Sequence, residues 1–103
     1  MASVLGTAIK FNVGMTPIDG FHLANVDFVI EVFSSNGGKK IAIPKTETLR
    51  VDDDNYLVMV DSKEVGSGDY YLTLWVDIPD TDFPSGIRKE GKTIKTNVTI
   101  EKR

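Results

Sequence analysis

The side chains able to do chemistry in this 103-residue chain are few. His22 is its single imidazole, flanked by Phe21 and Leu23, so neither a catalytic triad nor a histidine-based metal cluster has a second ring to complete it. Serines stand at Ser3, Ser34, Ser35, Ser62, Ser67 and Ser85, and none lies in a Gly-x-Ser-x-Gly elbow that would present an activated hydroxyl. Cysteine is absent, which removes thiol nucleophiles, disulfides and thiolate-held metal centres. Two acidic groups remain, Asp52-Asp53-Asp54 and the more spread Asp77, Asp80 and Asp82. Loop carboxylates suit calcium, but the tripeptide lacks the ligand offsets and the glycine of an EF-hand loop. No spacing sets two carboxylates across a cleft, as glycoside hydrolysis requires. Solvated turn carboxylates that also discourage edge pairing are the simpler account. The residues therefore read as non-enzymatic, with no catalytic, metal or cofactor role assigned.

The bulk properties narrow the partners. Hydrophobic content of 41% with 26% charged residues belongs to a globular chain, and the length fits one domain spanning residues 1–103. Twelve basic against fifteen acidic residues leave a net charge of -3, so no basic stripe is available to neutralise a nucleic-acid backbone. The start, MASVLGTAIK, has neither the cationic head nor the apolar run of a secretory signal, and no stretch approaches the ~18 apolar residues of a membrane span. A soluble protein, cytoplasmic or virion-associated, is expected. Asn97-Val98-Thr99 matches a glycosylation sequon by pattern, and a chance match inside a predicted strand explains it.

The elements that must position any functional surface are strands. Alternating apolar residues predict strands over residues 7–13, 27–33 and 93–101, with Phe28, Ile30 and Val32 sharing one face of the second. Residues 14–25, with Pro17 and Asp19-Gly20, read as a connection partly packed by Phe21 and Leu23. Asn36-Gly37 predicts a tight hairpin, since both central residues of a type I′ turn need positive φ. Residues 40–46 carry Pro44 and predict a short edge strand, followed by another over 48–51. The strongest pattern runs over residues 55–78, where two alternating runs flank Gly66 and Gly68 and predict an antiparallel hairpin. Residues 79–92 show no period and predict a long loop of the kind that often carries function. With roughly seven short strands and frequent turn signals, the fold class is all-β, an immunoglobulin-like antiparallel sandwich. A small β-barrel is the alternative.

Alternation through residues 70–78 sets Tyr71, Thr73 and Trp75 opposite Leu72 and Leu74. Phe33 likewise opposes the Phe28 set, and Leu57 and Met59 oppose Tyr56, Val58 and Val60. Apolar residues on both faces exceed what one core needs, and aromatic residues and methionine are enriched at interfaces. Phe33, Leu57, Met59, Tyr71 and Trp75 are therefore the candidate interaction residues. A protein partner, either a second copy or a larger assembly, is expected. A carbohydrate stacking on Tyr71 and Trp75 is the alternative. Tyr70 and Tyr71, after an acidic turn at the start of a strand, occupy the place where a tyrosine corner forms in such sandwiches.

Val60-Asp61-Ser62 followed by Gly68-Asp69-Tyr70-Tyr71-Leu72 resembles the pattern of bacterial and phage immunoglobulin-like modules. Pro17-Ile18-Asp19-Gly20-Phe21, Asp27-Phe28-Val29-Ile30-Glu31-Val32, and Arg88-Lys89-Glu90 with the strand after it extend the likeness over most of the chain. Together they resemble small proteins of phage tail or baseplate regions and related mobile elements, notably the immunoglobulin-like N-terminal domain of baseplate upper proteins. The resemblance implies an assembly or adaptor module and carries no enzymatic residue.

Overall fold

The computed structural model describes residues 2–102. Seven of the eight strands coincide with apolar alternation or extend it: β2 (Ala8–Gly14), β3 (Asp27–Ser34), β4 (Ile41–Pro44), β5 (Leu49–Asp52), β6 (Asn55–Asp61), β7 (Gly68–Pro79) and β8 (Ile87–Glu101). The eighth, β1 (Ala2–Val4), was not foreseen; its three residues run parallel to β8, from Ala2 beside Thr99 to Val4 beside Glu101. So short a segment has no period to read.

The strands form two sheets, five-stranded in the order β1-β8-β7-β3-β4 and three-stranded in the order β2-β6-β5. They share no paired strand, so the fold is an all-β sandwich and not the alternative barrel. Phe28, Ile30 and Val32 of β3 and the even-numbered apolar residues of β7 meet Phe11, Val13, Tyr56, Val58 and Val60 from the other sheet, and all are buried. Phe28 and Tyr56 join the sheets edge to face at 5.0 Å between ring centroids. The loop ahead of β3 seals one end with Leu23, which is fully buried. Lys45 closes the same region, donating to the carbonyls of Ala24 at 3.0 Å and Val26 at 2.8 Å.

Three expectations need correction. The run over residues 55–78 is not a hairpin: β6 pairs with β2 and β5, whereas β7 pairs with β3 and β8. The two alternating runs face each other across the core, and the chain crosses between sheets through the short helix α1 (Ser62–Val65). Asp61 caps α1 by accepting from the Lys63 N–H at 3.0 Å. The Tyr70 hydroxyl donates to the Gly66 carbonyl and ties the corner to the start of β7, so the corner residue is Tyr70, fully buried, and not Tyr71.

The second correction moves the tight turn. Asn36 is not among the residues with positive φ, and the stretch around it forms a wider loop turned by a Gly37 N–H to Ser34 carbonyl bond of 3.2 Å. Asp19 (φ 50°) and Gly20 (φ 83°) make the two-residue turn instead, with Ile18 and Phe21 exchanging both main-chain hydrogen bonds. Third, half of the expected long loop at 79–92 is strand, because β7 and β8 pair continuously from Tyr71 opposite Lys95 to Pro79 opposite Ile87, leaving only residues 80–86 as the connection. No helix among the described residues is long and apolar enough to cross a membrane.

Candidate functional site

The outer face of the five-stranded sheet is built in rows by its register. Val29, Trp75 and Gly91 lie side by side on β3, β7 and β8; Glu31, Thr73 and Thr93 form the next row; Phe33, Tyr71 and Lys95 form the third. Phe33 and Tyr71 stack with centroids 5.5 Å apart and planes 12° from parallel. Thr73 and Thr93 join hydroxyls at 2.9 Å. Lys40, from the loop before β4, sits 5.6 Å above the Phe33 ring and 3.8 Å from the Glu31 carboxylate.

Trp75 is fixed at both ends. Its Nε1–H donates to Glu31 Oε1 at 2.7 Å, and its six-membered ring lies on Gly91 so closely that a Cβ there would collide with the ring carbons. The indole therefore reaches across the sheet from β3 to β8, while remaining 38% exposed. Only glycine opposite the tryptophan permits this, a local use of the missing Cβ rather than of positive φ. The result is an aromatic surface with a carboxylate and an ammonium held among the rings.

Phe33, Tyr71 and Trp75 thus come together as expected, but Leu57 and Met59 do not join them. Both point from the outer face of the three-stranded sheet, where Leu57 opposes Leu49 and Met59 opposes Lys10. The five candidate residues occupy two surfaces on opposite sides of the sandwich, since the run that was expected to be one hairpin is divided between the sheets. Glu31, Gly91 and Lys40 belong to the aromatic site and escaped sequence reading. A glycine within a strand signals a close approach, but Gly91 lies in the stretch 79–92, which has no strand period.

The acidic groups diverge. Asp52 accepts from the Asn55 side chain at 2.9 Å and from the Asp54 N–H at 2.8 Å, and these bonds, the Asn55 one foremost, hold its carboxyl below the usual range. Asp53 pairs with Arg50, and Asp54 binds His22 Nδ1 at 2.9 Å. Asp77 lies 3.6 Å from Lys89, whereas Asp80 and Asp19 both bind Arg88 and tie the turn at Asp19-Gly20 to β8. The bond to Asp19 is the main cause that raises the Arg88 pKa above its ordinary value. Among the described residues no group of three or more His, Asp and Glu side chains converges so as to hold a metal ion.

A groove of about 600 Å³ runs between the segment at Met15 and Ile18 and the inward side of β8, floored by Leu74 and Val76 and walled by Glu90, Lys92 and Ile94. Comparison with protein-family models, with curated proteins and with solved structures finds no match.

Proposed function

We propose that this chain is a non-enzymatic adaptor domain that joins protein subunits through the outer face of its five-stranded sheet, in an assembly of the phage tail or baseplate kind. The observation that carries the reading is Trp75, kept partly exposed yet held by Glu31 and by the flat backbone of Gly91. Aromatic anchors already fixed in the free protein lose little side-chain freedom on association, which favours binding. An immunoglobulin-like assignment is part of the proposal. Its support is the strand order, β2-β6-β5 against β8-β7-β3-β4, which parallels the B-E-D and G-F-C arrangement of those sandwiches, together with the Tyr70 corner. A photo-crosslinking residue in place of Tyr71 is expected to trap neighbouring subunits, and the same residue in place of Met59 is not. Equal trapping from both sites, or none at position 71, overturns the reading.

A second reading is favoured by the flatness of the same indole: Trp75 beside Tyr71 offers a stacking surface for a sugar ring. Trp75 emission titrated with a panel of polysaccharides tests it, and an unchanged spectrum throughout removes it.

A further inference from the structure

We infer that a second copy of the chain joins this one edge to edge through β8 about Gly91, so that the aromatic faces of the two copies run on into one surface; the inference goes beyond the contact-surface reading above. In the five-stranded sheet β8 is flanked by β7 along its length, but by β1 only at Thr99, Ile100 and Glu101. The edge over residues 87–97 therefore has no neighbouring strand among the described residues. An edge of that length is a template for pairing.

The register shows which main-chain groups are free. The Asp80 N–H donates to the Gly86 carbonyl at 2.9 Å, and these residues continue the β7 and β8 pairing series. Hydrogen-bonded pairs alternate along an antiparallel ladder, so the even residues 88, 90, 92 and 94 bond to β7. The odd residues 89, 91, 93 and 95 direct their N–H and C=O groups to the open edge, whereas both main-chain groups of Ile87 are bonded to the Ser85 hydroxyl.

Charge then selects the register. An antiparallel pair related by a two-fold axis normal to the sheet matches residues of one parity. Centring it on Gly91 sets Glu90 opposite Lys92 of the second copy, and Lys92 opposite Glu90. Those are non-hydrogen-bonded pairs, whose side chains approach most closely. Centres at 90 and 92 oppose Glu90 and Lys92 to themselves; a centre at 89 opposes Lys89 to itself, and the Arg88–Glu90 pairs it would form draw on a guanidinium already bound to Asp19 and Asp80. A centre at 93 opposes no opposite charges at all. Lys92 has no ion-pair partner among the described residues of its own chain, and Glu90, 3.3 Å from Arg88 Nε through one oxygen, keeps its second oxygen for it.

The Gly91 centre also suits the aromatic face. Each indole lies on its own Gly91, and the two glycines become neighbours across the dyad. The two Trp75 rings therefore approach one another over backbone that carries no Cβ. About six main-chain hydrogen bonds join the copies, through residues 89, 91 and 93, and the two five-stranded sheets become one. Such a contact is isologous and closes at the dimer.

Sedimentation velocity over a concentration series tests the register by charge exchange. Wild type is expected to form a reversible dimer. Glu90→Lys and Lys92→Glu each oppose like charges twice, and each is expected to raise the dimer dissociation constant at least tenfold. A one-to-one mixture of the two variants, and the chain carrying both exchanges, restore association. Thr93→Pro removes an edge-facing N–H and the hydroxyl contact to Thr73 but no main-chain bond to β7, and is expected to yield monomer with an unchanged circular dichroism spectrum, whereas Thr93→Val, which loses the hydroxyl alone, still dimerises. A wild type that stays monomeric at several hundred micromolar overturns the second-copy inference, while trapping of a different protein from position 71 would still uphold the surface. A dimer indifferent to the charge exchanges overturns the β8 register alone.

Discussion

The two outer faces of the sandwich both expose apolar residues, yet they are built differently. On the five-stranded side every aromatic ring has a fixed neighbour: Phe33 stacks on Tyr71, and Trp75 is bonded to Glu31 and seated on Gly91. On the three-stranded side Leu49 is 55% exposed and Met59 is 47% exposed, and flexible aliphatic chains there have only strand neighbours such as Leu57 and Lys10. Scattered exposed aliphatics are ordinary in a soluble domain. A set of rings immobilised by polar and backbone contacts costs glycine and a charged side chain in the sheet, and gives a surface with one shape. The difference teaches that exposed apolar area alone does not mark a contact surface; pre-ordering of its side chains does.

The largest effect calibrates both faces against the core. Phe28→Ala removes the ring that meets Tyr56 between the sheets, and is expected to cost about 3–5 kcal/mol in denaturant unfolding. Gly91→Val comes next, because the new Cβ must expel the indole from its seat; roughly 1–3 kcal/mol and a red-shifted Trp75 emission are expected. An unchanged emission spectrum would show that the ring is not held, and the contrast between the faces would collapse.

Tyr70→Phe deletes the hydroxyl donated to Gly66 and is expected to cost roughly 1–2 kcal/mol. Burial, with the Asp61 carboxylate as the lesser cause, pushes the Tyr70 pKa up. The neutral hydroxyl is thus the form the fold favours, and its contribution is whole below the ordinary tyrosine value of about 10 and is lost as pH rises through the higher folded value. Thermal melts of wild type and variant should therefore converge above that range, and a constant gap would assign the stability to packing instead. The smallest effect sharpens the other side. Leu49→Lys on the three-stranded face is expected to shift stability by no more than about 0.5 kcal/mol and to leave association untouched.

Much of this was legible where burial is one-sided. Phe28, Ile30 and Val32 are buried and Val29, Glu31 and Phe33 are less so, as alternation requires. The first half of β8 was not legible. Its inward residues Glu90 and Lys92 wall a groove instead of entering the core, and its outward ones meet solvent, so neither face imposes a period. The same holds for the site: the sharing of a face by Tyr71 and Trp75 follows from their spacing, whereas Glu31 bonding to Trp75 joins residues 44 positions apart.

By itself the sequence determined the class of the fold and the core-facing residues of β3, β6 and β7. Those properties follow from composition and from a side-chain period of two, both of which are local. Only the tertiary structure decided that β6 and β7 face each other across the core instead of pairing. Val58 and Leu72 are buried equally well in either arrangement, and α1 with its glycine-rich exit sends the chain to the other sheet. That choice separated Leu57 and Met59 from Phe33, Tyr71 and Trp75. It also brought Gly91 beneath the indole, because strand partners are set by contacts between distant segments and not by the pattern within either one.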